Sequence, residues 1–259
     1  MKVTLIEHTR QAKDILLFSK RTRYLNSIDD FEVVKAMTEK EKSEELDYVF
    51  NTISSSWEFI DYIFLIEDVT RAFTHQLVRH RVGTSFAQQT QRMADMNNFR
   101  YLIPEGLVDD QQVMDNGFIY SETMNKIKKG YNDLIENRAE PQDARGVLPT
   151  NILTNILLKI NLRALSSMLE LRLCVRTQGE FQDVAKKMRS SVVKIHPWAS
   201  PVLQPYCIIN GQCKFPRFDR CPIKKANPEL EPLPNSKTQK IRNDFAKLGT
   251  YSPQPKPKK

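Results

Sequence analysis

Apolar positions along the chain fall into short groups whose spacing predicts mostly helices, with a few strands between them. Val3-Thr4-Leu5-Ile6 reads as an opening strand, and Ala12 to Ser19 has helical spacing. Thr38 followed by Glu41 is a capping-box signature, which predicts a helix through Leu46, Val49 and Phe50 to about Ile53. Phe59 to Ile66 is rich in aromatic and β-branched residues and reads as a strand. Asp68 is placed to N-cap a helix carrying Val69, Ala72, Phe73, Gln76, Leu77 and His80. Phe99 to Ile103 reads as short and extended, and Ile119 to about Asn137 as a moderately amphipathic helix. The strongest helical pattern runs from Thr150 to Leu173, where Ile152, Ile156, Leu157, Ile160, Leu165, Met168 and Leu169 supply a broad apolar face. A last helix spans Phe181 to about Val193, with Pro197 beyond its end. Together these elements predict a single α+β domain, with helices packed around a small mixed or antiparallel sheet.

Composition narrows the function classes. The chain has 259 residues, 40% hydrophobic and 27% charged, which is enough to build a core and excludes wholesale disorder. No run of eighteen apolar residues exists, so no membrane-spanning helix is expected. The N-terminus lacks the apolar core of a signal peptide, which points to the cytoplasm, or a host's cytoplasm if the chain is viral. There are only 8 glycines, and neither G-x-G-x-x-G nor a P-loop occurs, which argues against those nucleotide sites. The net charge of +8 is concentrated: residues 224–259 carry nine Lys or Arg against three acids, and six of the fourteen prolines. The sequence therefore divides into a domain over residues 1–223 and a basic, Pro/Lys-rich extension over 224–259, read first as solubilising and second as a weak nucleic-acid contact. Four cysteines make no disulfide framework in a chain this long. Cys207, Cys213 and Cys221 are not at zinc-ribbon spacing. His196 is their one candidate fourth ligand, and reduced thiols with no metal are the expected reading.

Candidate chemistry concentrates in two places. From Gln76 to Arg92 the chain holds Arg79, His80, Arg81 and Arg92 together with Ser, Thr and several Gln, and no acid. Cations also suit a helix C-terminus, so anion binding and simple dipole complementarity both stay open at this point. The second place is the predicted helix over 150–173, where Lys159, Arg163, Ser166, Ser167 and Glu170 form a polar stripe. Such stripes are mostly solvated faces. Arg145 precedes it, and Arg172, Arg176, Gln178 and Glu180 follow. No nucleophile is convincing: Cys174 has no histidine nearby in sequence, and Ser85 lacks a G-x-S-x-G setting. Many anion binders without a reactive side chain favour an enzyme whose cofactor carries the chemistry, or a nucleic-acid binder.

Arg79-His80-Arg81, then eight residues, then Thr90-Gln91-Arg92, resembles the Arg-His-Arg…Ser signature of flavin-dependent thymidylate synthases. Three further blocks agree in order. Ile66 to Val78 resembles that family's approach to the signature, and Ala144-Arg145-Gly146-Val147-Leu148-Pro149 resembles its A-R-x-x-L-P. Asn161-Leu162-Arg163-Ala164-Leu165 through Leu169-Glu170-Leu171-Arg172, then Gln178-x-Glu180, resembles its N-x-R-S-L…L-R…Q-W-E.

The resemblance implies a thymidylate synthase-complementing-protein-like fold and a homotetramer with FAD at subunit contacts. NADPH would be the reductant and 5,10-methylenetetrahydrofolate the carbon donor. The implied reaction transfers a one-carbon unit to C5 of dUMP and reduces it to methyl, forming dTMP. Residue by residue, it assigns the nucleotide to Gln76, Arg79, Gln88, Gln89, Thr90, Arg92 and Arg145, and sets Arg172 against the pyrimidine ring as the catalytic charge. Flavin contacts would come from Arg79, His80, Arg81, Asn161, Arg163 and Ser167, with Ser55 and Glu58 from a further block.

This chain departs from the family pattern at Ile53 and Phe59, where histidines are usual, and at Thr90, Met93, Arg176 and Gly179. Those departures motivate one alternative on the same scaffold: dCMP as substrate, or a hydroxymethyl product. A non-catalytic nucleic-acid-binding protein is the alternative from another class.

Overall fold

The computed structural model describes residues 1–22, 27–94, 96–107, 111–214 and 221–232, with backbone alone at 111–114, 231 and 232. It opens with β1 (Lys2–His8), then α1 (Ala12–Arg21), α2 (Asp29–Ala36) and α3 (Glu39–Thr52). β2 (Asp61–Thr70) runs straight into α4 (Arg71–Leu77), and β3 (Thr84–Gln88) follows. After α5 (Gln111–Glu136) and the single turn α6 (Pro141–Ala144), β4 (Leu153–Asn161) runs straight into α7 (Leu162–Arg172), and α8 (Gly179–Ile195) comes next. These elements lie in one compact unit, Met1–Gln204. A second unit, Pro205–Lys259, contains α9 (Tyr206–Asn210), β5 (Gln212–Cys213), α10 (Pro222–Ala226) and β6 (Glu231–Pro232), with β5 and β6 parallel. The basic extension expected from residue 224 belongs to this second unit, and from residue 233 it lies outside the described residues.

The α+β expectation is met by a four-stranded antiparallel sheet of order β1-β2-β4-β3. Alternate residues of the two central strands, Tyr62, Phe64 and Ile66 on β2 and Ile156, Leu158 and Ile160 on β4, are almost wholly buried. They share one core with Leu16 and Leu17 of α1, Val49 of α3, Leu165, Met168 and Leu169 of α7, and Val184, Met188 and Val192 of α8. A smaller cluster joins Tyr131 of α5 to Met96, Phe99, Ala144 and Ile152. The predicted capping box is present: Thr38 Oγ1 accepts from Glu41 N, and the Glu41 carboxylate accepts from Thr38 N at 2.8 Å.

Three sequence expectations are corrected. The segment 150–173 is not one helix but strand β4 followed by helix α7. Ile152, Ile156 and Ile160 recur every four residues, an interval common to a helix face and a strand face. Thr154 and Leu158 complete the buried even-numbered row that only a strand produces. The strand expected at 59–66 is shifted to 61–70, with Ser54–Phe59 forming a 3₁₀ turn before it. Asp68 is not an N-cap. It sits inside β2 with φ 54°, at the shift of register between Ile66 and Val69, where its N–H donates to Asn155 Oδ1 and its carboxylate pairs with Arg100. Thr70 caps α4 instead.

Among the described residues no helix is long and apolar enough to cross a membrane. No group of three or more His, Cys, Asp or Glu is placed to hold a metal among them. His196, considered as a partner for the cysteines, is engaged within the first unit. Its Nδ1 lies 3.1 Å from the Tyr62 hydroxyl, and its ring packs against Trp198 and the edge of His8.

Burial, with a smaller contribution from His8, pushes the His196 pKa down to about 4. An unfolded imidazole protonates near 6.5, so in this window unfolding takes up a proton, and stability falls as pH drops from about 6.5 toward about 4. His196→Gln should flatten that part of the melting-temperature profile relative to the parent chain. Parallel profiles from pH 7 to 4 in a thermal-shift series would remove His196 from the acid response.

Candidate functional site

Because β2 and β4 are antiparallel, the helices that continue them start at opposite ends of the sheet. Each start is capped by a polar side chain. Thr70 Oγ1 accepts from Phe73 N at 3.0 Å and donates to Glu180 Oε2 at 2.6 Å, while Thr70 N donates to Glu180 Oε1 at 2.7 Å. At the other end, Asn161 Oδ1 accepts from Ala164 N at 2.8 Å, and Asn161 N donates to the Gly83 carbonyl at 3.0 Å. Gly83 has φ +71°, and a Cβ there would lie 2.5 Å from Asn161 Nδ2, so this position requires glycine on two counts. The two helices then run toward each other: His80, just past α4, meets Arg172, the last residue of α7.

The Arg172 Nε–H donates to His80 Nε2 at 3.3 Å, with Nη2 at 3.4 Å from the same atom. A guanidinium only donates, so His80 Nε2 is the bare nitrogen and the neutral ring carries its proton on Nδ1. Burial first, and the Arg172 charge second, hold the His80 pKa below the usual imidazole range. Burial lowers that of Arg172 as well, from a value so high that the group stays charged. Phe181 of α8 lies beneath the guanidinium, its ring centroid 4.3 Å from Arg172 Cζ. Alongside, Gln76 Nε2 of α4 donates to Gln178 Oε1, just ahead of α8.

β3 and the loop after it carry the second group. Thr84 Oγ1 donates to the His80 carbonyl, and Gln88 Nε2 donates to Thr74 Oγ1 at 2.9 Å. Thr90 Oγ1 accepts from Arg92 N at 3.1 Å, and both side chains are exposed. Arg145 sits in a 3₁₀ turn, its Nε–H donating to the Gln142 carbonyl at 3.0 Å. Arg71, which the sequence reading did not single out, donates to the Gln89 carbonyl at 3.2 Å. Burial and the charge of Arg145 both lower its pKa. A signal for it was available: no Asp or Glu occurs from Val69 to Ala94, and Arg71 stands near the start of that run.

The remaining candidates line the start of α7. Arg163 pairs with Glu58 at 2.5 Å, Ser167 is exposed one turn further along the same face, and Ser55 is exposed in the 3₁₀ turn that carries Glu58. The polar stripe read across 159–170 is corrected. Lys159 belongs to β4, where it pairs with Asp61, and Ser166 is buried, donating to the Val202 carbonyl. Of the two missing histidine positions, Ile53 is a buried core residue and Phe59 an exposed one.

Charge pairing separates two populations of arginine. Among the described residues Arg21, Arg100 and Arg163 form ion pairs; Arg79, Arg81, Arg92, Arg145 and Arg172 form none. The family model for thymidylate synthase complementing protein matches residues 4–198, which contain every candidate site residue. The chain belongs to this family. The flavin-dependent thymidylate synthase of Pyrococcus furiosus is 32% identical over 254 residues, 92% of this chain and 100% of that protein. Those of Clostridium tetani and Sulfurisphaera tokodaii are 28% and 32% identical, across 82% and 81% of this chain and 90% and 80% of the respective relatives.

Within this thymidylate synthase complementing protein fold, Gly83 is the backbone condition for the Asn161 cap. Gly83→Ala should destabilise the chain by about 1–2 kcal/mol, through strain at positive φ and loss of the cap. Urea unfolding of Gly83→Ala, Asn161→Ala and the double variant should show less than additive losses, since both changes remove one interaction. Full additivity would mean that Gly83 and Asn161 act separately.

Proposed function

We infer that this chain is a flavin-dependent thymidylate synthase. It transfers a one-carbon unit from 5,10-methylenetetrahydrofolate to C5 of dUMP and reduces it to methyl, forming dTMP. The observation that carries this reading is the set of arginines without carboxylate partners along the α4–β3 edge, joined through His80 to Arg172. Unpaired arginines beside hydroxyl and amide donors suit a nucleotide monophosphate. Family membership and the names of the relatives supply the flavin and the product.

The donor set also suits FAD. Arg79, Arg81 and Arg163 bring cations, and Asn161, Ser167 and Ser55 bring neutral polar groups, with Glu58 holding Arg163. Bound FAD, once reduced, supplies the hydride equivalent that converts the transferred carbon to methyl. The protein's own share is binding and charge. Arg92, Thr90 and Arg145 take the phosphate, Gln88 and Gln89 the sugar, and Gln76 and Arg79 the rest of the nucleotide. The charge of Arg172 favours the negative charge that develops on the pyrimidine as C5 is attacked. His80, being neutral, directs Arg172 without cancelling it. Ile53 and Phe59 leave flavin contact on this side to Ser55 and Glu58. NADPH as the reductant, a homotetramer as the working assembly and the cytoplasm as its place complete the proposal.

Anaerobic incubation of the reduced, FAD-loaded protein with methylenetetrahydrofolate and dUMP should give the mass of dTMP. A hydroxymethyl product, or turnover of dCMP in preference to dUMP, would overturn the assigned reaction, and a protein that takes up no flavin would overturn the enzyme reading itself. Arg92→Ala should weaken dUMP binding about ten- to a hundredfold, the usual worth of a charge-assisted hydrogen bond. Deoxyuridine should bind poorly to the parent chain and equally poorly to the variant. Equal losses for nucleoside and nucleotide in calorimetric titrations would take Arg92 off the phosphate.

A further inference from the structure

Arg172 is held in an unusual way for a half-buried cation. The ion pairs formed by arginines among the described residues use Arg21, Arg100 and Arg163, not Arg172. Its support is a ring face 4.3 Å below it and one imidazole nitrogen beside it. A carboxylate would aim the guanidinium equally well but would cancel its charge. A π face and a neutral imidazole aim it and leave the charge in place. The contact to His80 uses Nε and Nη2, and among the described residues Nη1 donates to nothing.

The ring is itself fixed from several sides. Phe181 is fully buried and meets Phe73 of α4 edge-to-face at 4.9 Å. Its ring also stands nearly perpendicular to that of His80, at 6.1 Å. Around it, the start of α8 is tied to α4 through Glu180 with Thr70 and Gln178 with Gln76. The same phenylalanine thus touches both members of the Arg172–His80 pair and the helix that leads into the Arg-His-Arg segment.

We propose that Phe181 is a positioning residue for the methyl-forming reaction: its ring holds the Arg172 guanidinium aimed and uncompensated, and keeps His80 beside it as an acceptor, before the nucleotide arrives. This deepens the reading of Arg172 as the pyrimidine-facing charge and rests on it. Plain core packing makes a different prediction, because any apolar side chain of similar volume would then serve.

Replacing Phe181 by mono-, di- and trifluorophenylalanine weakens the negative ring face step by step while keeping the shape, so the fold and the bound FAD are retained. Turnover of dUMP by the FAD-loaded protein should fall stepwise with fluorine number, by roughly two- to thirtyfold overall. Affinity for dUMP should change less than turnover. Phe181→Leu should behave like the trifluoro form. On the same preparations, ¹⁵N-labelled arginine and histidine report the hold without any reliance on activity. In the parent protein the Arg172 Nε–H should exchange slowly and His80 Nε2 should carry no proton, and both signatures should fade along the series. Fading signatures with unchanged turnover would overturn the positioning role, as would turnover insensitive to fluorine with both signatures intact. If the signatures fade but the parent protein makes no dTMP, the synthase reading fails, and the catalytic part of the proposal goes with it.

Discussion

The antiparallel pairing of β2 with β4 determines where everything else stands. Asp61 lies opposite Asn161 and Thr70 opposite Leu153, so each strand ends where the other begins. A helix follows directly from each, and the two helices must therefore start from opposite ends of the sheet and run back. Their C-terminal ends meet, and His80 and Arg172 are the residues found there. Had the strands been parallel, both helices would leave from one end and their basic C-terminal residues would be carried away together. The caps at Thr70 and Asn161 make the turns sharp enough for this geometry, and Glu180 and Gly83 support those caps from outside the helices.

On that frame the protein sorts its cations by partner. Lys42 is buried against Asp14 and Arg21 reaches Glu45, pairs that serve packing among α1 and α3. Along the α4–β3 edge the chain does the opposite and excludes acids for twenty-six residues, from Val69 to Ala94. Unpaired cations close together repel one another: the pKa of Arg71 is lowered first by burial and second by the charge of Arg145. Such an arrangement costs stability when empty and recovers it when an anion binds. At Arg172 the aromatic face of Phe181 and the neutral His80 provide support that leaves the charge available.

The departures from the family pattern fall into different physical classes. Ile53 ends α3 inside the main core, so the residue at this position contributes packing and is shielded from any ligand. Phe59 and Met93 are exposed, and each offers apolar surface next to candidate site residues. At Gly179, the first residue of α8, an added Cβ would meet nothing within 4 Å, so the missing side chain leaves open space beside Gln178 and Glu180. Thr90 keeps a hydroxyl, and that hydroxyl already accepts from the Arg92 backbone.

Sequence by itself determined what depends on neighbours along the chain. The capping box at Thr38 and Glu41, the acid-free arginine segment, the N-terminal strand and the helix ahead of Pro197 are all local patterns, and all stand where the pattern put them. Residue types likewise raised anion binding, beside plain complementarity to a helix C-terminus, before any fold was known. Tertiary structure decided the rest. Ile152, Ile156 and Ile160 satisfy a helix and a strand equally; the segment is a strand because β2 and β3 offer its backbone partners on both sides. Thr70 rather than Asp68 caps α4 because β2 continues to pair with β4 through Val69 and Thr70, carrying the helix start past Asp68. The contact of Arg172 with His80 and Phe181 joins residues up to 101 positions apart in the chain. No spacing encodes it, since the partners of a side chain at the end of a helix are set by how whole elements pack and not by what lies next to them in sequence.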